Sequence, residues 1–215
     1  MLRIWGRVTS SNVQKALWLA QELGLAYENR QVGGPYGGLD SPAFRALTPM
    51  GLIPVLEDDG FAIWESEAIL RYLAARYGGA DFWSEDPKVR SWSDRWMAWA
   101  QTRLQPDFVS GLFWGFYRTP VEQRDAAAIA RAEAATASDF LKVEEALADR
   151  PFLSGPALGL ADIVIGSLLY RYFEMEVARP PHPRVEAWYR RLQMRPAYAN
   201  AVMVPFDSLK GRLSF

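Results

Sequence analysis

The chain has no cysteine and a single histidine, His182, among its 215 residues. The first absence excludes disulfides, thiolate metal sites and a cysteine nucleophile. The second argues against histidine metal clusters and serine–histidine–aspartate hydrolysis. An excess of positive charge is also missing: the formal net charge is -1, without the basic surplus that marks a nucleic-acid partner. Long apolar runs are scarce. The N-terminus, MLRIWGRVTSSNVQKALW, lacks the apolar stretch of a signal peptide. Residues 151–170 carry Asp162 as their only charge, but prolines, glycines and that aspartate interrupt them. The segment reads as a buried helix rather than a membrane span, and the expected compartment is the cytoplasm. No metal, nucleic-acid or membrane partner is expected. Catalysis must draw on hydroxyls, carboxylates, backbone groups or a group borrowed from a co-substrate.

Half of the residues are hydrophobic, enough for a sizeable core, and the length suits a small domain followed by a larger one. Residues 2–8 and 26–32 read as strands, with a helix between them whose Val13, Ala16, Leu17, Ala20 and Leu23 recur at helical spacing. After the glycine- and proline-rich loop 33–42, PAFRAL adds a helical turn. Two short strands, 53–56 and 61–64, flank an acidic Asp-Gly hairpin signal. Ser66 to Tyr77 returns to helical spacing. The order β-α-β-α-β-β-α predicts an α/β domain over residues 1–77, built on a mixed four-stranded sheet. Residues 78–87 read as a linker, and 88–215 as an all-helical domain. There Val89, Trp92, Trp96 and Trp99 form one stripe. Thr119-Pro120-Val121-Glu122 reads as a capping box opening an alanine-rich helix to about Asp149. Further helices are expected over 160–174 and 182–193.

The stretch IPVLEDDGFAIWESEAI, residues 53–69, carries most of the chemistry. Proline donates no backbone hydrogen bond and belongs at a strand's start or at an edge. Beside Pro54, the N–H and C=O of Ile53 are positioned to pair with an extended peptide. Ser66 is placed to cap the helix that follows. That helix's N-terminus offers free N–H groups to a carboxylate, and Glu65 beside it offers a partner for an ammonium group. Together these residues suit the zwitterionic end of an amino acid or peptide. Each alone is equally at home as an edge strand, a plain cap or a solvated charge.

Ile53-Pro54 and Glu65-Ser66, followed by Ala68-Ile69-Leu70-Arg71-Tyr72-Leu73, resemble the glutathione-binding domain of the cytosolic glutathione transferases, and Thr9-Ser10-Ser11-Asn12 looks like the same segment of its serine-type, theta-like bacterial members. Leu158-Gly159-Leu160-Ala161-Asp162-Ile163 and Ala187-Trp188-Tyr189 to Arg195-Pro196-Ala197-Tyr198 extend the resemblance over nearly the whole chain. It implies a thioredoxin-like first domain and a detoxifying transferase with glutathione as co-substrate. In the family the Ile-Pro bond is usually cis and pairs with the cysteinyl backbone of glutathione, and the Glu-Ser pair takes the γ-glutamyl end. The family stabilises the thiolate from a residue near the end of the first strand. Trp5 stands where the tyrosine classes place their phenol, which leaves Thr9-Ser10-Ser11-Asn12. The resemblance selects Ser10 as the hydroxyl donor, with Asn12 as a second donor and Ser11 as the rival.

The resemblance further implies a homodimer and a pocket for a hydrophobic electrophile on the helical domain. Trp114 and Tyr117 are the expected lining, although an aromatic stripe also suits a core. Asp94 is a candidate contact to the γ-glutamyl group from a partner subunit. Two positions depart from the family pattern. Leu52 stands where a basic or polar residue near the glycyl carboxylate is frequent, with Met50 at a place where Asn is frequent, so backbone of the loop 33–38 is the expected substitute. Gly159 replaces a Ser/Thr cap, with little change of fold expected. Besides conjugation, the same residues admit glutathione-dependent peroxide or disulfide reduction, or a non-enzymatic ligand-binding or interaction role.

Overall fold

A computed structural model describes residues 1–214. The chain divides into two compact units. One is Met1–Glu85 with Met194–Val204, and the other is formed by Asp86–Gln193 with the segment from Pro205 onward.

The first unit is built on four strands, β1 (Leu2–Trp5), β2 (Tyr27–Arg30), β3 (Val55–Asp58) and β4 (Phe61–Trp64), in the order β2-β1-β3-β4. β1 runs parallel to β2 and antiparallel to β3, and β3 is antiparallel to β4. The sheet is mixed, as expected. Asp59 and Gly60 take φ of 47° and 88° at the hairpin tip, the two positive values that a tight two-residue hairpin turn demands. β1 stops at Trp5, short of the expected Val8, and the cause is Gly6. Its φ is +145°, and a Cβ there would lie 2.4 Å from Val13 Cγ2 and 3.1 Å from Ile53 Cβ. The chain turns away from the sheet where it passes under α1 (Ser11–Glu22) and beside Ile53.

α1 buries Val13, Ala16, Leu17 and Ala20 as its spacing predicts, and also Trp18 and Leu19. Of these, Trp18 faces α10 (Pro196–Ala201). The Trp18 ring meets Tyr198 edge-on at 4.8 Å, and Arg195 grips Glu22 with two hydrogen bonds of 2.7 and 2.6 Å. Residues 88–215 are thus not one contiguous unit: Met194–Val204 packs with the first unit because α1 is apolar on two sides. α2 (Pro42–Leu47) is capped by the Ser41 hydroxyl, and α3 (Ser66–Tyr77) packs on α1. The expected linker holds a short helix, α4 (Gly79–Phe82).

In the second unit, α5 (Pro87–Trp99), capped by Asp86, runs directly into a π-helical stretch, Ala100–Arg118, that includes Pro106. Thr119 closes this stretch: its N–H and its hydroxyl both donate to the Trp114 carbonyl at 2.9 Å. The expected capping box at Thr119 therefore does not start the next helix. Pro120 is extended at ψ 143°, a 3-10 turn follows over Val121–Gln123, and α6 (Ala126–Ala146) is capped by Asp125. The single helix expected over 160–174 is two, α7 (Leu160–Gly166) and α8 (Leu169–Glu174), parted where Leu168 N–H bonds the Ile165 carbonyl and tightens the turn. α9 (Pro183–Gln193) follows. Asp162 is fully buried and accepts N–H bonds from Leu153, Ser154 and Gly159 at 2.7, 3.1 and 3.1 Å. Gly159 is more than a tolerated cap, since a Cβ there would meet the Ser154 side chain at 2.7 Å. No helix among the described residues is long and apolar enough to cross a membrane.

Candidate active site

The register of the sheet assembles the site. Val55 pairs with both Trp5 and Trp64, so the end of β1, the start of β3 and the end of β4 meet at one edge. One step beyond the Val55–Trp64 pair, Pro54 comes beside Glu65. The Ile53–Pro54 bond is cis. Ile53 lies outside the ladder, and its N–H and C=O make no hydrogen bond to another described residue. A cleft at this edge is lined by Asn12, Ile53, Pro54, Glu65 and Ser66, with Met50 and Leu52 along one wall.

Ser66 is the first residue of α3 rather than its cap, and it is buried. The cap position belongs to Glu65, whose side chain makes no capping bond and is exposed. Its carboxylate is therefore uncommitted, next to N–H groups at the start of a helix of twelve residues. Glu65 sits at φ 71° and ψ 116°, a conformation costing a non-glycine residue of order 1–3 kcal/mol. Strain held at a cleft, where an ordinary cap residue would relieve it, points to use of the side chain. Glu65→Gly should raise stability by about 1 kcal/mol in urea unfolding while weakening ligand binding at the cleft.

The three candidates at the start of α1 occupy different places. Ser10 is the cap residue by backbone, its carbonyl accepting the Gln14 N–H at 2.9 Å, but its hydroxyl makes no capping bond. It is not among the residues lining the cleft. Asn12 lines the cleft, and its Oδ1 is buried without a hydrogen-bond partner. Ser11 is the first helical residue. Trp5 is committed to the sheet: its indole N–H points to Glu57 at 3.4 Å and its ring lies 5.1 Å from the Arg30 guanidinium.

Sequence reasoning missed a buried charge pair behind this edge. Lys15 of α1 and Glu67 of α3 are both buried and face each other at 3.7 Å, without a hydrogen bond on either Lys15 Nζ or Glu67 Oε1. Burial pulls the Lys15 ammonium down to about 8 against the attraction of Glu67, and burial pushes the Glu67 carboxyl up. The signal was a lysine inside an otherwise apolar helical face.

Trp114 and Tyr117 belong to the second unit. Tyr117 is buried, stacked on Phe113 at 5.4 Å and tilted against Phe206 at 4.9 Å. Trp114 is 37% exposed, with the Arg118 guanidinium 3.9 Å over its ring. Tyr117 is thus a core residue of its unit and Trp114 a surface one.

Comparison with known proteins agrees with this architecture. The family model described as "Glutathione S-transferase, N-terminal domain" matches residues 5–81, and "Glutathione S-transferase, C-terminal domain" matches 126–191. Glutathione S-transferase GstB of Escherichia coli (strain K12) is 38% identical over 207 residues, covering 95% of this chain and 99% of that protein. The chain belongs to the glutathione S-transferase family. Within that family, glutathione S-transferase theta-1 of Mus musculus is 35% identical over 71% of this chain and 66% of its own length. A solved structure of the theta class glutathione S-transferase from Xanthomonas axonopodis pv. citri, with glutathione bound, superposes with a TM-score of 0.90 at 46% identity. It covers 95% of this chain and 98% of that one. This glutathione S-transferase therefore has theta-like relatives, as its residues 9–12 suggested.

Proposed function

We propose that this glutathione S-transferase holds glutathione along the cleft of its first unit and presents the thiolate to a hydrophobic electrophile. The supporting observation is the register that sets cis Ile53–Pro54 beside Glu65–Ser66, with the start of α1 at the same edge. The cysteinyl backbone of glutathione pairs with the free N–H and C=O of Ile53. The γ-glutamyl ammonium goes to Glu65, and its carboxylate to the N–H groups at the start of α3. Ser10 donates its hydroxyl to the thiolate, and Asn12 contributes its amide from the cleft floor.

The second unit carries the electrophile pocket, with the exposed Trp114 in its lining and the buried Tyr117 packed behind that surface. It also carries the contacts of a homodimer, in which Asp94 reaches toward the partner's ligand. A cytoplasmic, detoxifying role fits this assignment. Ser10 acts as a donor, not as a nucleophile. A site lowering a thiol's pKa by one unit favours the thiolate by about 1.36 kcal/mol.

The test is an ultraviolet titration of bound glutathione. The thiolate absorbance should rise at a pH well below that of free glutathione, whose thiol ionises near ~8.5 as free thiols do, and Ser10→Ala should return it toward the free value. Binding with an unshifted midpoint in wild type would rule out thiolate activation.

A further inference from the structure

α1 and α3 pack together behind the cleft, and the seam between them is polar. Lys15 stands three positions after Asn12 on α1, so the two share a face of that helix. Asn12 lines the cleft, and Lys15 is wholly buried behind it. Opposite, on the first turn of α3, Glu67 directly follows Ser66, another cleft residue. The Lys15 ammonium lies 3.7 Å from the Glu67 carboxylate. Asn12 Oδ1, Lys15 Nζ and Glu67 Oε1 are all buried without a hydrogen-bond partner among the described residues.

A methionine of similar length would fill the same space without desolvating a charge. What the lysine adds is a positive charge beneath the turn whose free N–H groups face a ligand's anion. Two carboxylates act on it, Glu67 and, from the cap of α3, Glu65, and both favour the ammonium. Arg71 of α3 acts on Glu67. The other elements packed on α1 have spent their charges elsewhere: Arg3 of β1 pairs with Glu28 and Glu57, and Arg195 beside α10 grips Glu22. Burial pulls Lys15 down to about 8. Above that value Glu65 and Glu67 meet an incoming carboxylate without the lysine's compensating charge.

We propose that Lys15 is a positioning residue: its buried charge, set under the first turn of α3, holds the α-carboxylate of the ligand on the N–H groups of that turn. The proposal rests on the glutathione reading of the cleft. It places a deciding charge behind the site, on a side chain that the ligand does not touch, and makes ligand affinity depend on the protonation of that side chain.

Calorimetric titration with S-methylglutathione, which has no thiol to ionise, tests it from about pH 7 to about pH 9.5, on either side of the lysine's value of about 8. Lys15→Met alone strands Glu67 and endangers the fold, so the comparison is with Lys15→Met/Glu67→Leu, in which both buried charges are gone. The ligand's own ammonium titrates against both proteins and cancels in the comparison. Wild type should lose about tenfold more affinity across this range than the double variant, the effect of one unit charge at roughly 10 Å with an effective dielectric of about 20. A purely structural pair would leave the two profiles parallel. Parallel profiles would overturn the role of Lys15 and leave the glutathione reading of the cleft standing. Binding of S-methylglutathione by neither protein at any pH would overturn both.

Discussion

Lys15→Met should cost the fold about 3–5 kcal/mol, because it strands a buried carboxylate. Glu67 is 4% exposed, and the Lys15 ammonium lies 3.7 Å from it, inside the same buried layer. Marginal stability of about 5–15 kcal/mol makes this a large share of the total. The double variant Lys15→Met/Glu67→Leu should recover the loss and end between neutral and about 4 kcal/mol more stable than wild type, since the desolvation of both charges is then removed. Urea unfolding of the four proteins in the cycle gives the coupling directly. A Lys15→Met protein as stable as wild type would mean that Glu67 is neutral in the fold.

The same pair carries a pH signature with a defined sign. Lys15 titrates at about 8 in the folded chain against an ordinary 10.5. Between those values the unfolded chain keeps the proton and the folded chain has released it. Stability due to this group therefore rises with pH across that window. Buried tyrosines work the other way at higher pH. Tyr172, for instance, is buried and raised to about 12, so its stabilising effect is lost as the pH climbs through that value. The difference between wild type and Lys15→Met isolates the lysine.

Ser10→Ala should lower turnover with an activated aryl halide by about a hundredfold or more, the range seen when one donor to a developing anion is removed. Glutathione affinity should change by about twofold or less, because the binding contacts assigned above lie on Ile53, Glu65 and the start of α3 and persist in the ground state. A working cap serine is worth about 0.5–2 kcal/mol to its helix. The Ser10 hydroxyl makes no capping bond, so this variant should keep nearly all of its stability. Loss of stability with retained turnover would make Ser10 a cap and move the donor role to Ser11 or Asn12.

Local chemistry was legible in the sequence and remote packing was not. The Asp-Gly hairpin, the apolar face of α1, and the Ile-Pro and Glu-Ser pairs depend on neighbours a few residues away, and the sequence shows those neighbours. The end of β1 depends on how closely Gly6 passes Val13 and Ile53, a contact between three separate segments. Thr119 has the residue type of a cap, but its hydroxyl serves the helix before it because Pro120 holds the chain extended. Ser66 reads as a cap, yet the positive-φ backbone of Glu65 makes that residue the cap and starts α3 one residue earlier. The Lys15 pair is not visible along the chain, because its partner lies fifty-two positions away, on another helix.

The return of Met194–Val204 to the first unit has a consequence for synthesis. Tyr198 and Arg195 complete the face of α1 that carries Trp18 and Glu22. The segment that carries them begins at Met194, 109 positions after Glu85, where the first stretch of that unit ends. At about 5–20 residues per second, the nascent chain spends roughly 5–20 s with this face uncovered. For that interval the growing protein presents a bare indole and an unmatched glutamate. The first unit is finished only after Asp86–Gln193 has been made, which delays its maturation until that stretch of the helical half is out.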